Sequence, residues 1–225
     1  MVLQQSRCAR FSRSSISKSI FKTKGLGLTP QRIGILGGAF DPPHRAHVAM
    51  AEAAIAQFDL DELIVVPTGN AWHKPRDLSS GEHRAAMARL AFSHLSQARV
   101  DEIELHRQGP SYTIDTLRSF GGQFPGAQFF LLIGEDQGKV LATWHEIGEI
   151  AQRAIICVAE REMSESSDTV ASSLDIPTQA LKLPQLPHSA TQIRARVAQG
   201  QTIDALVPPT VALYIQSHHL YLPAR

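Results

Sequence analysis

The strongest constraint on the fold is a series of short, continuously apolar runs separated by longer segments with helical periodicity. The runs predict strands at Ile33–Leu36, Glu62–Pro67, Val100–Leu105, Gln128–Ile133, Ala154–Ala159 and Leu181–Leu183. The helical patterns lie at His47–Gln57, Glu82–Ser96, Thr113–Phe120, Val140–Gln152, Ser189–Gln199 and Pro208–Ser217. Continuously apolar strands are typical of a parallel sheet that helices cover on both faces. We therefore expect an α/β fold with a doubly wound parallel sheet, which binds ligands beyond the carboxyl ends of its strands.

Composition places the chain among ordinary globular proteins. It has 225 residues, of which 43% are hydrophobic and 19% charged, and this length favours one domain with a sizeable core. No apolar run approaches the roughly 18–20 residues of a membrane-spanning helix, so we expect no membrane association. Cys8 and Cys157 have neither disulfide-framework nor zinc-ligand spacing. We therefore expect no structural zinc and a reducing, cytoplasmic location.

The first 30 residues differ in composition from the rest. Seven basic residues precede the first acidic one, Asp41, whereas the chain from there onward holds 15 basic and 21 acidic residues, a net charge of −6. The segment is also serine-rich and too poor in apolar residues to fold alone, so we interpret residues 1–30 as a disordered extension to a domain at 31–225. A transit peptide, a misassigned start, a loose bacterial tail or a nucleic-acid arm would look the same. The body lacks the basic-aromatic pattern of nucleic-acid binders, so we expect no such partner.

A later polar, serine-rich segment, Met163–Ala180, predicts an exposed connection before the last strand.

Glycines and histidines follow the first predicted strand directly, in the segment GGAFDPPHRAH at 37–47. Gly37 and Gly38 allow the backbone to approach a ligand closely and present N–H groups to phosphate. The Asp-Pro pair at 41–42 indicates a helix start, so His44 and His47 would face the same way, where imidazoles can donate hydrogen bonds to phosphate oxygens. Taken singly, the glycines would suit a tight turn and each histidine a surface position.

A second segment, SATQIR at 189–194, opens a predicted helix. Ser189 with Gln192 has the spacing of a capping box, which leaves backbone N–H groups and the positive helix dipole at this end. Such a terminus binds anions, and Thr191 and Arg194 add donors suited to a polyphosphate. The alternative is an ordinary capped helix with a solvated arginine.

The two segments together resemble the two signatures of the nucleotidyltransferase superfamily, G-(T/S)-F-D-P-x-H-x-G-H and I-S-S-T-x-I-R, in the same order and spacing. Further stretches are similar to the bacterial nicotinate-nucleotide adenylyltransferase family, so that the resemblance runs from Ile33 to Tyr221. They are VP at 66–67 leading to HKP at 73–75, GPSYT at 109–113, and IGED at 133–136 leading to Trp144. The sister phosphopantetheine adenylyltransferases are shorter and carry threonine where this chain has His44.

This resemblance implies a Rossmann-like fold and transfer of the adenylyl group of ATP to nicotinate mononucleotide, in NAD biosynthesis. It implies catalytic roles for His44, His47 and Arg194. The implied ATP-binding residues are Gly37, Gly38, Ala39, Phe40, His44, His47, Asp136, Ser189, Thr191 and Arg194. The implied residues for nicotinate mononucleotide are Lys74, Tyr112, Thr113, Trp144 and His145, with Trp144 stacked on the pyridine ring. Without the resemblance, a core position would be the better interpretation of Trp144.

We expect Mg²⁺ to arrive with ATP, because the sequence shows no carboxylate cluster to cage it and we find no metal site of the protein's own. The chain departs from the family pattern at Ala39 and Ala46, which are small enough to keep the loop, and at Ala71-Trp72 and His145. Because His145 replaces an aromatic residue, nicotinamide mononucleotide stays an alternative acceptor. A regulatory module that binds nucleotide without turnover and a nucleic-acid binder are the rival functions. The sequence indicates no oligomeric state.

Overall fold

The computed structural model describes residues 30–69, 78–161, 176–183 and 189–223. Within these residues one sheet of six parallel strands forms the centre of the molecule. The strands are β1 (Arg32–Gly38), β2 (Glu62–Pro67), β3 (Ala98–Val100), β4 (Gln128–Ile133), β5 (Ala154–Arg161) and β6 (Thr178–Leu183). Their order across the sheet is β3-β2-β1-β4-β5-β6. The direction of winding therefore reverses between β1 and β4, as the doubly wound prediction requires.

Helices cover both faces of this sheet. They are α1 (Arg45–Gln57), α2 (Gly81–Phe92), α3 (Thr113–Gln123), α4 (Glu135–Lys139), α5 (Ile147–Arg153), α6 (Ala190–Ala198) and α7 (Pro209–Ser217), with a 3₁₀ turn at Leu141–Thr143. Helices α1, α2, α6 and α7 contribute to one buried cluster and α3 and α5 to the other. Among the described helices, none is long and apolar enough to cross a membrane.

The continuous apolar runs reflect this double coverage. In β1, Ile33 and Ile35 pack toward α3 and α5, whereas Leu36 packs toward α1 and α2. The same alternation continues in β4, where Phe129 and Phe130 belong to opposite clusters. Because both faces are buried, each successive residue of a central strand must be apolar.

Parallel register brings the carboxyl ends of three strands to one edge. Gly38 at the end of β1 is level with Pro67 of β2, and Leu36 is level with Leu132 of β4. The segments that follow β1, β2 and β4 therefore leave the sheet side by side. The glycine-histidine segment and the IGED segment are two of them.

β1 and β5 extend one or two residues beyond their predicted bounds, and two other strands differ more. β3 ends at Val100, so the prediction of a strand through Leu105 was wrong. The Asp101 carboxylate accepts the N–H of Ile103 at 3.0 Å, and Leu105 N–H donates to the Glu102 carbonyl at 2.9 Å, which turns the chain after β3. β6 begins at Thr178, so the last three residues of the predicted connection at 163–180 are strand. Residues 163–175 lie outside the described residues, as do 1–29.

The predicted helices also differ at several points. A single helix over Val140–Gln152 was wrong, because the chain is extended at Trp144 and left-handed at Glu146 (φ 53°) before α5 begins. The helix predicted at Glu82–Ser96 ends at Phe92. The helix start expected at residues 41–42 was also wrong, since α1 begins at Arg45 with His44 as its N-cap.

Candidate active site

The turn after β1 packs around a buried phenylalanine, Phe40. Phe40 has a left-handed backbone (φ 48°) and is 1% exposed, with its ring edge-on to Phe92 and His47 at 5.9 and 5.1 Å. A Cβ at Gly38 would lie 3.1 Å from the Phe40 ring, whereas one at Gly37 would meet no atom within 4 Å. The loop is therefore anchored beneath Gly38 and accessible at Gly37, where its backbone can approach a ligand.

His44 and His47 face each other at the start of α1, as the sequence predicted. Their ring centroids lie 3.9 Å apart, and the backbone N–H of His44 donates to His47 Nδ1 at 3.2 Å. A nitrogen that accepts this bond carries no hydrogen, so the His47 ring is the neutral tautomer protonated at Nε2. His47 therefore presents an N–H donor from Nε2 while remaining uncharged.

Arg194 joins the second predicted segment to the first. It lies on α6, and its Nη1 donates to the backbone carbonyl of Asp41 at 2.7 Å. Its Nη2 donates to Thr191 Oγ1 at 2.9 Å. At the N-cap of the same helix, Ser189 Oγ accepts the N–H of Gln192 at 3.2 Å, which is the serine half of the predicted capping box. The two segments, more than 140 residues apart in the sequence, thus meet beside the end of β1.

Four of the residues expected to bind the acceptor lie together at the starts of α3 and α5. The Tyr112 and His145 rings lie 4.4 Å apart with a tilt of 31°. Tyr112 and Trp144 are half-buried against the α3 and α5 cluster, and Thr113 is the first residue of α3. Exposed Asp136 lies on α4, directly beyond β4. Lys74, the fifth expected acceptor residue, lies outside the described residues.

A buried carboxylate, Glu104, is a feature that sequence reasoning missed. It is 8% exposed and accepts a hydrogen bond from Thr116 Oγ1 at 2.8 Å, together with bonds from the Gly69 N–H and the Ser111 side chain. Burial raises the pKa of Glu104 despite these bonds and the nearby Arg107. Glu104 therefore joins the turn after β2 to the segment that precedes α3 and to α3 itself.

A buried guanidinium, Arg84, was missed as well. It is 3% exposed and donates to three backbone carbonyls, those of Ser79 at 2.9 Å, Ala39 at 3.1 Å and Thr68 at 2.6 Å. These carbonyls belong to the segments after β1 and β2 and to the one before α2. In the sequence, Arg84 and Glu104 resemble surface charges, because their partners are distant along the chain or on the backbone.

The assembled donors suit a polyphosphate. They comprise the loop backbone at Gly37, the imidazoles of His44 and His47, the guanidinium of Arg194 and the N-terminus of the nine-residue helix α6. The aromatic side chains of Tyr112 and Trp144 suit a flat ring. In the described part of the chain, no three histidine, cysteine or acidic side chains are grouped as metal ligands.

Comparison with known proteins gives a consistent family. The cytidylyltransferase-like family model matches residues 35–196. A relative from Albidiferax ferrireducens, named "Probable nicotinate-nucleotide adenylyltransferase", is 52% identical over 200 residues, which cover 86% of this chain and 100% of the relative. A relative of the same name from Methylibium petroleiphilum is 43% identical and covers 89% of this chain and 97% of itself.

Solved structures share the fold. Plasmodium falciparum nicotinic acid mononucleotide adenylyltransferase complexed with APC has a TM-score of 0.68 at 19% identity, over 85% of this chain and 97% of that chain. The same protein complexed with NaAD has a TM-score of 0.67. These likenesses confirm the Rossmann-like arrangement, while the family model and the two relatives identify the family. The chain belongs to the cytidylyltransferase-like family and, within it, to the nicotinate-nucleotide adenylyltransferases.

Proposed function

We propose that this protein transfers the adenylyl group of ATP to nicotinate mononucleotide, giving nicotinate adenine dinucleotide and pyrophosphate. The observation that carries the proposal is the 2.7 Å bond from Arg194 to the Asp41 carbonyl. This bond brings the N-terminus of α6, which we propose binds the triphosphate, beside a glycine loop with two histidines, in a chain 52% identical to a relative named for this activity.

The ATP site lies between the loop after β1 and the N-terminus of α6. The backbone of Gly37, Gly38, Ala39 and Phe40 lines one side, and Ser189 and Thr191 lie at the other, near the positive end of the helix dipole. Asp136, beyond the neighbouring strand β4, faces the nucleoside in this proposal. The supporting feature is the switch point between β1 and β4, where doubly wound sheets bind nucleotides.

The reaction needs no protein nucleophile. A phosphate oxygen of nicotinate mononucleotide attacks the α-phosphorus of ATP in line, and the bond from that phosphorus to the β-phosphate bridging oxygen breaks. A phosphate monoester is largely dianionic at neutral pH, since its second pKa is about 6, so no base has to deprotonate it. The chain contributes positioning and charge stabilisation. His47 Nε2–H and His44 donate to the α-phosphoryl oxygens, and Arg194 binds the departing pyrophosphate.

We propose that Mg²⁺ enters with ATP. When bound, it neutralises charge on the triphosphate. The described residues offer the site uncharged imidazole and backbone donors rather than a group of carboxylates, which suits an ion held by phosphates and water.

The acceptor binds near Trp144 and Tyr112 in this proposal. Trp144 stacks on the pyridine ring, the backbone at Thr113 donates to its carboxylate, and His145 lies beside Tyr112 at the rim. Lys74 completes the set from the sequence resemblance. Backbone N–H donors suit a carboxylate better than an amide, whose own NH₂ would face them. We therefore propose the acid as the preferred acceptor.

The test is a parallel assay of pyrophosphate release with Mg-ATP and one of three acceptors, nicotinate mononucleotide, nicotinamide mononucleotide or phosphopantetheine. Release should be fastest with the nicotinate compound. An equal or higher rate with nicotinamide mononucleotide would contradict the acceptor preference alone. ATP binding without release from any acceptor would instead support a regulatory module.

A further inference from the structure

Tyr221, in the last described turn of the chain, holds the glycine-histidine segment at residues 37–47 through Asp41. The Tyr221 hydroxyl donates to Asp41 Oδ1 at 2.6 Å, across 180 positions of sequence. The other carboxylate oxygen of Asp41 accepts the N–H of Ser79 at 3.3 Å, and Asp41 is 1% exposed. A buried carboxylate with two fixed donors has little freedom to move.

Asp41 also binds Arg194 through its backbone. Its side chain receives Tyr221, while its carbonyl receives the guanidinium at 2.7 Å. The Asp41 carbonyl therefore fixes one arm of the Arg194 guanidinium, while Thr191 Oγ1 holds the other at 2.9 Å. A shift of this peptide would move the guanidinium relative to the triphosphate site between β1 and α6.

Tyr221 has an unusual backbone conformation and a half-buried side chain. Its φ is 64°, a left-handed conformation that is unfavourable for a non-glycine residue. The pKa of the phenol is raised by burial and by the adjacent Asp41 charge, so the hydroxyl stays protonated and keeps donating at neutral and alkaline pH.

We propose that Tyr221 is a positioning residue for adenylyl transfer, which fixes the Asp41 carboxylate and thereby directs Arg194 at the triphosphate of ATP. This inference rests on the proposed function and extends it to the last described turn of the chain. Tyr221 touches no substrate in this role, because it acts through Asp41. Its loss should therefore affect the ATP side of the reaction and leave binding of the acceptor ring near Trp144 unchanged.

Tyr221→Phe is the variant of choice, because it removes the hydroxyl and keeps the packed ring. We expect kcat/KM for ATP to fall roughly 10-fold, the size of one lost hydrogen bond to a charged group. KM for nicotinate mononucleotide should not change. Tyr214→Phe is the matched control, since Tyr214 lies in the same C-terminal region and its hydroxyl is 3.0 Å from His83 Nδ1 on α2. The control should retain wild-type kinetics.

The decisive comparison adds Tyr221→Phe to an Arg194→Ala background. If Tyr221 acts through Arg194, the second substitution costs almost nothing further in kcat/KM for ATP. A full, additive loss would overturn the proposal, as would a Tyr221→Phe variant that melts lower but has wild-type kinetics. Should Tyr221→Phe not fold, Asp41→Asn gives the second route. This variant keeps the backbone carbonyl that binds Arg194, but its side-chain amide has a single oxygen and can accept only one of the two hydrogen bonds. We therefore expect the same selective fall in kcat/KM for ATP.

Failure of the proposed function would look different. Wild-type protein that releases no pyrophosphate with nicotinate mononucleotide would refute the adenylyl transfer itself. An active wild type with an equally active Tyr221→Phe variant would refute only the role of Tyr221.

Discussion

His47 combines a fixed orientation with a neutral charge. Its Nδ1 accepts the backbone N–H of His44 at 3.2 Å, and the edge of Phe40 packs against its ring. In the proposed reaction, an imidazole fixed in this way does not have to reorganise when charge develops on the α-phosphoryl group. Preorganised donors of this kind act mainly in the transition state.

We therefore predict that His47→Ala lowers kcat by roughly 10²- to 10³-fold, the usual loss for one such donor, and weakens ATP binding only modestly. Steady-state kinetics should be compared with those of His94→Ala, in which an exposed histidine that pairs with Glu52 at 3.0 Å is lost. A near-normal kcat for His47→Ala would show that this histidine merely shapes the helix start.

Arg194 should behave differently from His47. In the proposed function the Arg194 guanidinium binds the triphosphate in the ground state as well, so we predict that Arg194→Ala raises KM for ATP and lowers kcat together. The same kinetic series measures both constants. A loss confined to kcat would mean that Arg194 meets the phosphates only as pyrophosphate departs.

Glu104 makes stability depend on pH in a defined direction. Its pKa in the folded protein is raised above the ordinary value of 4.5, because burial disfavours the charged form. The folded state therefore binds this proton more tightly than the unfolded state does. The stabilisation that this bound proton contributes to the free energy of unfolding is fully present below pH 4.5. It is lost as the pH rises through the pKa that Glu104 has in the folded protein.

We predict that the stability advantage of wild type over Glu104→Gln shrinks as the pH rises from about 4.5 to 8, because glutamine does not titrate. Urea unfolding of both proteins across this range measures it. An advantage that grows with pH would show that the bonds from Thr116, Gly69 and Ser111 outweigh burial and lower the pKa instead.

At the scale of single residues, the sequence predicts only those contacts that local backbone geometry determines. The spacing of His44 and His47 places both rings on one side of a helix start, so their meeting was predictable even though the start itself is three residues later than expected. Glu104 and Arg84 were not, because their roles come from carbonyls and hydroxyls on other elements. The same holds for the bond between Tyr221 and Asp41.

At the scale of elements, the turn after β2 packs tightly against the turn after β3. A Cβ at Gly69 would lie 2.0 Å from the Glu104 carbonyl oxygen. Since that atom is backbone, it cannot rotate away as a flexible side chain would. By contrast, a Cβ at Gly122, inside α3, would meet no atom within 4 Å.

We predict opposite outcomes for alanine at these two glycines. Gly69→Ala should destabilise the protein by roughly 1–3 kcal/mol or more, since backbone must shift to relieve the overlap. Gly122→Ala should be neutral or stabilise by up to about 1 kcal/mol, because alanine favours helix. Urea midpoints of both variants test this, and equal midpoints would mean that the β2 turn relaxes without cost.

The strand predictions were accurate where a strand is buried on both faces and failed at the edge of the sheet. β2 and β4 match the predicted bounds because burial on both faces gives an unbroken apolar run. β3 lies at the edge and is three residues long, and the alternating polar segment that follows it is turned by hydrogen bonds to Asp101 and Glu102. The break at Trp144 likewise depends on a left-handed Glu146, whose carboxylate pairs with Arg118 of α3. Neither of these contacts can be predicted from the periodicity of the sequence.

At the scale of the whole molecule, the site forms where distant parts of the chain meet. The end of β1, the turn after β2, α6 and the final turn at Tyr221 are joined through Asp41, Arg84 and Arg194. The apolar runs predicted a doubly wound parallel sheet, and in such a sheet the segments that follow neighbouring strands leave at one edge. This arrangement does not determine which side chains join them.

The charge of the chain is unevenly distributed along the sequence. Every charged residue before Asp41 is basic, whereas the chain from Asp41 onward carries a net charge of −6. The expected catalytic residues all lie from His44 onward. We predict that a protein lacking residues 1–30 keeps its melting temperature and its kcat/KM, because a serine-rich, apolar-poor segment adds little buried area. Calorimetry and pyrophosphate release should be measured for both lengths in the same buffer, at low and at high salt. A salt-sensitive loss of activity on truncation would show that the basic segment recruits the anionic substrates, whereas a fall in melting temperature would show that it packs against the domain.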